Sequence, residues 1–201
     1  PAVADQFLAF MEREARGSDG LYILGDLFEA WLGDDDPNPA ARAVVAALRR
    51  LVDSGVPCFV MHGNRDFLIG ERFCRETGAT LLDDGTIAER HGRRVLLMHG
   101  DTLCTDDVSY QRLRRIVRHP FVRWLFDRLG LAQRRAIAQR LRAGSRKHVG
   151  MTAPEIMDVN AAAVSQAFRS SGVDTLIHGH THRPAVHDLV VDGRSVRRIV
   201  L

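Results

Sequence analysis

Four short apolar runs in this chain each pass directly into a polar cluster of Asp, Asn, His and Gly. Leu21-Tyr22-Ile23-Leu24 leads into Gly25-Asp26, and Cys58-Phe59-Val60-Met61 into His62-Gly63-Asn64-Arg65-Asp66. Val95-Leu96-Leu97-Met98 leads into His99-Gly100-Asp101, and Thr175-Leu176-Ile177 into His178-Gly179-His180-Thr181-His182. The runs read as buried strands, whereas 3–16 and 39–53 carry apolar residues at helical spacing, the second stopped by Ser54-Gly55. A last run, 196–201, reads as a fifth strand. This alternation gives an α/β fold, with helices covering a central sheet. Ligands of open α/β sheets bind beyond the carboxyl ends of the strands, so the four clusters are expected to converge on one site.

Asp, Asn and His without thiolates suit Mn²⁺, Fe or Zn²⁺ in a reactive centre rather than a structural zinc. The glycines let the loop backbone approach a crowded centre. Two ions sharing a carboxylate clamp a phosphate and activate a water for in-line attack. A single His at a strand end is ordinarily a hydrogen-bonded loop residue, and a single Gly-Asp a turn; His62, His91, His119, His148 and His187 are read that way. Four clusters at four strand ends require that plain reading to fail four times independently.

Charge is segregated. Between Tyr110 and Gly150 stand twelve Arg or Lys and one acid, so this stretch carries +11 and the remainder −8, for a net charge of +3. The stretch reads as helical from about 107 to 148, punctuated by Pro120 and Gly130, with Phe121, Val122, Trp124, Leu125 and Phe126 among the arginines. It is taken as a helical cap, 107–150, inserted into a core made of 1–106 and 151–201. Such a segment can lie at an anionic interface or hold acyl chains; it can equally be a solvated basic face. A nucleic-acid partner is not expected, because the cap lacks tyrosines or glycines arranged for base stacking. With 201 residues there is room for one core and a modest subdomain. No apolar run approaches a membrane span, and Pro1 to Asp5 does not resemble a secretory signal. Three dispersed cysteines, Cys58, Cys74 and Cys104, point to reduced, buried thiols and a cytosolic protein.

Gly25-Asp26, Gly63-Asn64, His99-Gly100 and Gly179-His180-Thr181-His182 match, in order, the signature of the calcineurin-like metallophosphoesterases. Five longer stretches go beyond it: LYILGDLFEAWLGDDD (21–36), HGNRDFLIG (62–70), MHGDTLCTDDVSYQ (98–111), IMDVN (156–160) and LIHGHTHRPAVH (176–187). They resemble the branch that hydrolyses UDP-2,3-diacylglucosamine to UMP and 2,3-diacylglucosamine 1-phosphate in the lipid A pathway. The resemblance implies a βα sandwich core and two divalent ions, Mn²⁺ by preference. It also implies a glycolipid nucleotide substrate, no protein partner, and peripheral attachment to the cytoplasmic face of a Gram-negative inner membrane.

Carried over residue by residue, the resemblance makes Asp26 the bridging carboxylate. Asn64, His99 and His180 join it around one ion, and His182 serves the other. Asp107, Tyr110, Ser145 and Lys147, together with Asn64, Arg65 and His180, are expected to line the glucosamine-phosphate pocket. Val149 and Thr152 stand where the family pattern has an Asn and a Lys. The family's first motif, Asp-x-His on an initial strand, is expected just upstream of Pro1, and the fold to continue past 201. On this sequence alone one ion is expected to bind well and the second weakly. Where many relatives carry a His after Gly-Asn, this chain has Arg65, which stays protonated and cannot act as a general acid. It suits a leaving group that is itself a phosphate and needs no proton, and its planar fork can hold phosphate oxygens. The alternatives are a metallophosphoesterase for soluble nucleotides or dinucleotides, a non-catalytic relative, and a nuclease using the basic cap.

Overall fold

The computed structural model describes residues 2–151, 156 and 158–201, and within them all side chains except those of 2 and 146–151. The chain divides into two compact units, Pro1–Asp83 and Asp84–Leu201.

The first unit runs α1 (Ala2–Arg13), a 3-10 turn (Ala15–Gly17), β1 (Leu21–Ile23), α2 (Pro39–Asp53), β2 (Cys58–Met61), α3 (Glu71–Thr77) and β3 (Thr80–Leu82). The strands form one parallel sheet in the order β1-β2-β3, with Tyr22 opposite Phe59 and Phe59 opposite Thr80. Helix α2 begins at Asn38, whose side chain accepts from the Ala40 N–H at 3.1 Å, with Pro39 in the first helical position. Ala41, Val44, Val45, Leu48 and Leu51 recur at three- and four-residue spacing and are all buried, which fixes its inward face.

Helix α3 is too short to stand alone and is held from outside. The Asp34 carboxylate accepts from the N–H of Gly70 (3.1 Å) and of Phe73 (3.0 Å), supplying partners at the helix N-terminus, and from Trp31 Nε1 at 2.9 Å. The same residues pack: Phe28 stacks on Trp31 with centroids 4.6 Å apart, and Phe73 meets Trp31 edge-on at 5.4 Å.

The second unit runs β4 (Thr86–Arg90), β5 (Arg93–Met98), a 3-10 turn (Asp101–Leu103), α4 (Val108–Val117), α5 (Pro120–Asp127), α6 (Leu131–Met151), α7 (Ala161–Ser171), β6 (Thr175–His178), β7 (Ala185–Val191) and β8 (Arg194–Val200). Its five-stranded sheet has the order β4-β5-β6-β8-β7. The inner strands β5, β6 and β8 are parallel; β4 and β7 join antiparallel through two-residue turns, His91-Gly92 and Asp192-Gly193, with positive φ at both residues. Its core joins Leu96, Leu176 and Val196 of the sheet to Val164 and Phe168 of α7.

The α/β class and the helical character of 107–148 hold, the latter as three helices broken before Pro120 and Leu131. The single central sheet does not: the strands fall into two sheets. The two antiparallel edge strands went unread because their residues alternate between half-buried and exposed, with only the short Leu189-Val190-Val191 run apolar. Replacing Asp34 by Ala is expected to lower the unfolding free energy by about 2 kcal/mol, since three donors lose one charged acceptor. Urea titration of the Asp34→Ala and Asp34→Asn variants checks this, with Asn recovering part of the loss.

Candidate metal centre

In the first unit the ends of β1 and β2 are tied together by one carboxylate. Asp66 is wholly buried. It accepts from the N–H groups of Leu27 (2.7 Å), Gly63 (2.7 Å) and Asp26 (3.3 Å). Burying a carboxylate is tolerated only where donors replace water, and three backbone amides do so here. They hold Asp26 at φ +53°, a left-handed conformation that a non-glycine residue adopts at a cost. The Asp26 carboxylate meets the Arg65 N–H at 2.9 Å, and Arg65 Nε lies 3.7 Å from it. The other end of the Arg65 guanidinium is paired with Glu29. Asn64 sits half-buried between Gly63 and Arg65 on the same loop. Gly63 has no room for a side chain: a Cβ would lie 2.2 Å from both the Asp26 nitrogen and its Oδ1. The backbone of 63–66 is therefore pressed against Asp26, bringing a carboxylate, an amide and a guanidinium onto adjoining loops.

The second unit supplies imidazoles. His99 follows β5 and is 1% exposed; its N–H donates to Asp84 Oδ1 at 2.9 Å, and its carbonyl accepts from Gly179 N–H at 2.9 Å. That second bond brings the loop after β6 alongside. His180, at φ +71°, places its ring edge-to-face with His99, centroids 4.9 Å apart, and Tyr110 lies 6.0 Å from His180. His182 also has positive φ, +54°, and is exposed. Three of the five expected metal ligands thus sit in the left-handed region, as strained backbone does where loops are over-determined by their surroundings.

His178, fully buried at the end of β6, is not among the expected ligands. Its Nδ1 lies 2.9 Å from the Gly179 carbonyl and its Nε2 3.4 Å from Arg198 Nη1, an arrangement that suits a neutral ring donating from Nδ1. Burial, and the nearby Arg198 and His99 charges, hold its pKa below 6.5, although the Gly179 carbonyl works the other way. Gly100, at φ +113°, leaves space for this ring, since a Cβ there would fall 2.8 Å from His178 Nδ1.

The expected pocket residues divide. Asp107 caps α4, accepting from the Tyr110 N–H at 2.9 Å, and the Tyr110 hydroxyl donates to Asp101 Oδ2 at 2.7 Å. Ser145 is exposed on α6. The Lys147 side chain and Thr152 lie outside what is described. His62, read as a loop residue, bonds through Nε2 to the Ile69 carbonyl at 2.8 Å. Asn160, within the 156–160 stretch, caps α7 and donates to Asp106, while neighbouring Asp158 pairs with Arg183 at 2.7 Å. The supporting carboxylates Asp66, Asp84 and Asp101 were missed as site residues; Asp66 and Asp101 stand inside the quoted motifs, and Asp84 carries no motif signal.

A family model described as calcineurin-like phosphoesterase matches residues 3–184. The chain belongs to the calcineurin-like phosphoesterase family. Its relatives include proteins named UDP-2,3-diacylglucosamine hydrolase from Salmonella arizonae (57% identical), Salmonella paratyphi B (56%) and Escherichia coli O7:K1 (55%). Each match runs over 201 residues, all of this chain and 84% of the relative. A solved archaeal phosphodiesterase is 13% identical with a TM-score of 0.45, covering 98% of this chain and 73% of that one. Enzymes of this family are metal-dependent phosphoesterases. The oxygen and imidazole donors described above fit divalent ions of that kind.

Gly63→Ala is expected to push Asp26 aside and weaken Mn²⁺ binding about 10- to 100-fold, read by calorimetric titration. The depressed His178 pKa gives a signed expectation. Below about pH 6.5 the unfolded chain takes up a proton that the folded one refuses, so this contribution is whole above about 6.5 and is lost as pH falls. The urea midpoint of metal-free protein should drop between about pH 7 and about pH 5, with a shallower slope in His178→Asn.

Proposed function

We propose that this protein hydrolyses the pyrophosphate of UDP-2,3-diacylglucosamine, releasing UMP and 2,3-diacylglucosamine 1-phosphate. The observation that carries the reading is similarity over all 201 residues of this chain to relatives of that name, 55–57% identical. The ligand set assigned to one ion is Asp26, Asn64, His99 and His180; Asp26 and His182 serve the second. Two divalent ions, Mn²⁺ by family resemblance, would supply a Lewis-acid clamp on the phosphate oxygens and acidify the attacking water.

The rest of the chemistry belongs to the chain. Water adds to the phosphorus attached to uridine, and the bond from that phosphorus to the bridging oxygen breaks. The glucosamine 1-phosphate leaves with the bridging oxygen, stable without a proton. Arg65 suits this step: it cannot donate a proton, but its guanidinium can hold the leaving phosphate. Asp26 and Glu29 on either side keep that guanidinium oriented. Asp107, Tyr110, Ser145 and Lys147 are assigned to the glucosamine phosphate.

The cap is assigned to the lipid and the membrane surface. On α5, Phe121, Trp124 and Leu125 share one face and are 62%, 48% and 49% exposed. Arg128 lies over the Trp124 ring, 3.5 Å from its centroid. Exposed aromatics beside arginines suit an anionic lipid interface. Among the described residues no helix is long and apolar enough to cross a membrane, and we place the protein peripherally on the cytoplasmic face of the inner membrane.

The test is product analysis with Mn²⁺ and detergent-dispersed UDP-2,3-diacylglucosamine, with Asn64→Ala alongside. UMP release should appear in the wild type and fall at least about 100-fold in the variant. No UMP, with turnover of a soluble dinucleotide instead, would keep the phosphoesterase and discard the glycolipid.

A further inference from the structure

One face of α4 is turned to the segment around Asp101. Asp101 is fully buried in the turn after His99. Its Oδ2 accepts from the Tyr110 hydroxyl at 2.7 Å, from Arg114 Nε at 2.7 Å and from Arg118 Nη2 at 3.4 Å. Gln111 Nε2 donates to the Asp101 carbonyl at 2.8 Å and to the Cys104 carbonyl at 3.0 Å. Residues 110, 111, 114 and 118 lie on one side of a helix, so the whole stripe faces this turn. Arg114 also reaches Asp84 Oδ2 at 3.7 Å, and Asp84 accepts from the His99 N–H and the Thr102 hydroxyl. Two carboxylates that hold the His99 segment thus share one arginine of the first cap helix.

An ordinary structural ion pair is the simpler description, but energetics weigh against stability as its purpose. Buried ion pairs are commonly neutral or worse than apolar replacements, because desolvation offsets attraction. Among the described residues it also leaves Asp101 Oδ1 buried with no hydrogen-bond partner. What it secures is placement: the Tyr110 ring is held 6.0 Å from His180, itself edge-to-face with His99. We propose that Asp101 is a positioning residue, which locks α4 and thereby Tyr110 against the turn carrying His99, and so sets substrate affinity without touching substrate.

The kinetic part rests on the glycolipid reading above; the anchoring part does not. Asp101→Asn and Arg114→Gln in the full chain, loaded with Mn²⁺, are compared with wild type by amide hydrogen exchange. Amides of 108–118 should exchange at least about tenfold faster, with 93–98 and 175–178 unchanged. On UDP-2,3-diacylglucosamine, KM should rise about tenfold with kcat within about threefold; on bis(p-nitrophenyl) phosphate, a small diester, turnover should stay within about twofold. Unchanged protection of α4 overturns the proposal. So does a parallel loss of kcat on both substrates that follows lost thermal stability, which is the mark of a merely structural pair. If Asp101→Asn does not fold, Arg114→Gln, which leaves Arg118 on the carboxylate, carries the same expectations. If wild type cleaves the small diester and releases no UMP, the glycolipid reading fails, and the exchange result alone decides the anchoring.

Discussion

Asp66 sets the geometry on which the first unit's chemistry depends. A carboxylate with no access to water must collect donors, and the amides of Asp26, Leu27 and Gly63 are the ones it takes. In doing so it brings the chain after β1 against the chain after β2, forces Asp26 into a left-handed conformation, and excludes any side chain at position 63. The second unit solves the same problem differently. Asp84 and the Gly179 amide take the two backbone groups of His99, and Arg198 sets the orientation of His178. In both units the side chains proposed as metal ligands are carried on loops whose backbones are held by neighbouring groups.

This division explains what could be read in advance. Asp26, Asn64, His99 and His180 announced themselves because each follows an apolar run and pairs with a glycine, a local signal at a strand end. Their supporters gave no such signal: Asp34 holds α3 from about forty residues away, and Asp84 reaches His99 across fifteen. Long-range contacts of that kind follow from topology, which a single chain does not spell out. Asp107, expected to line the substrate pocket, is also the cap of α4; an acid just before a helical stretch carries both meanings. Asp192-Gly193 joins β7 to β8 as a two-residue turn, and only the second of those strands was read from the sequence.

Cysteine chemistry shows the same separation of support from reaction. Cys58, Cys74 and Cys104 are free thiols. Cys104, buried near Asp101 and hydrogen-bonded to the Gly100 carbonyl, has its pKa pushed up to about 12 by burial and by the surrounding acids. A thiol so far from ionising is a poor nucleophile and a poor ligand.

The basic stretch also has to be reconsidered as a source of long-range field. Arg114 and Arg118 are matched by Asp101 and Asp84, acids that lie outside the stretch and so escape a count made along it. Arg134 is nearly buried and donates to the Leu129 carbonyl, and Arg128 is folded onto an indole. An approaching anion at a Debye length, ~10 Å in ordinary buffer, senses only charge that has not been neutralised close by. With the Arg114 and Arg118 ion pairs discounted, the stretch carries two charges fewer than its formal +11. Attraction to an anionic surface would come mainly from the exposed Arg112, Arg115, Arg140 and Arg142, with the aromatic face taking over at contact.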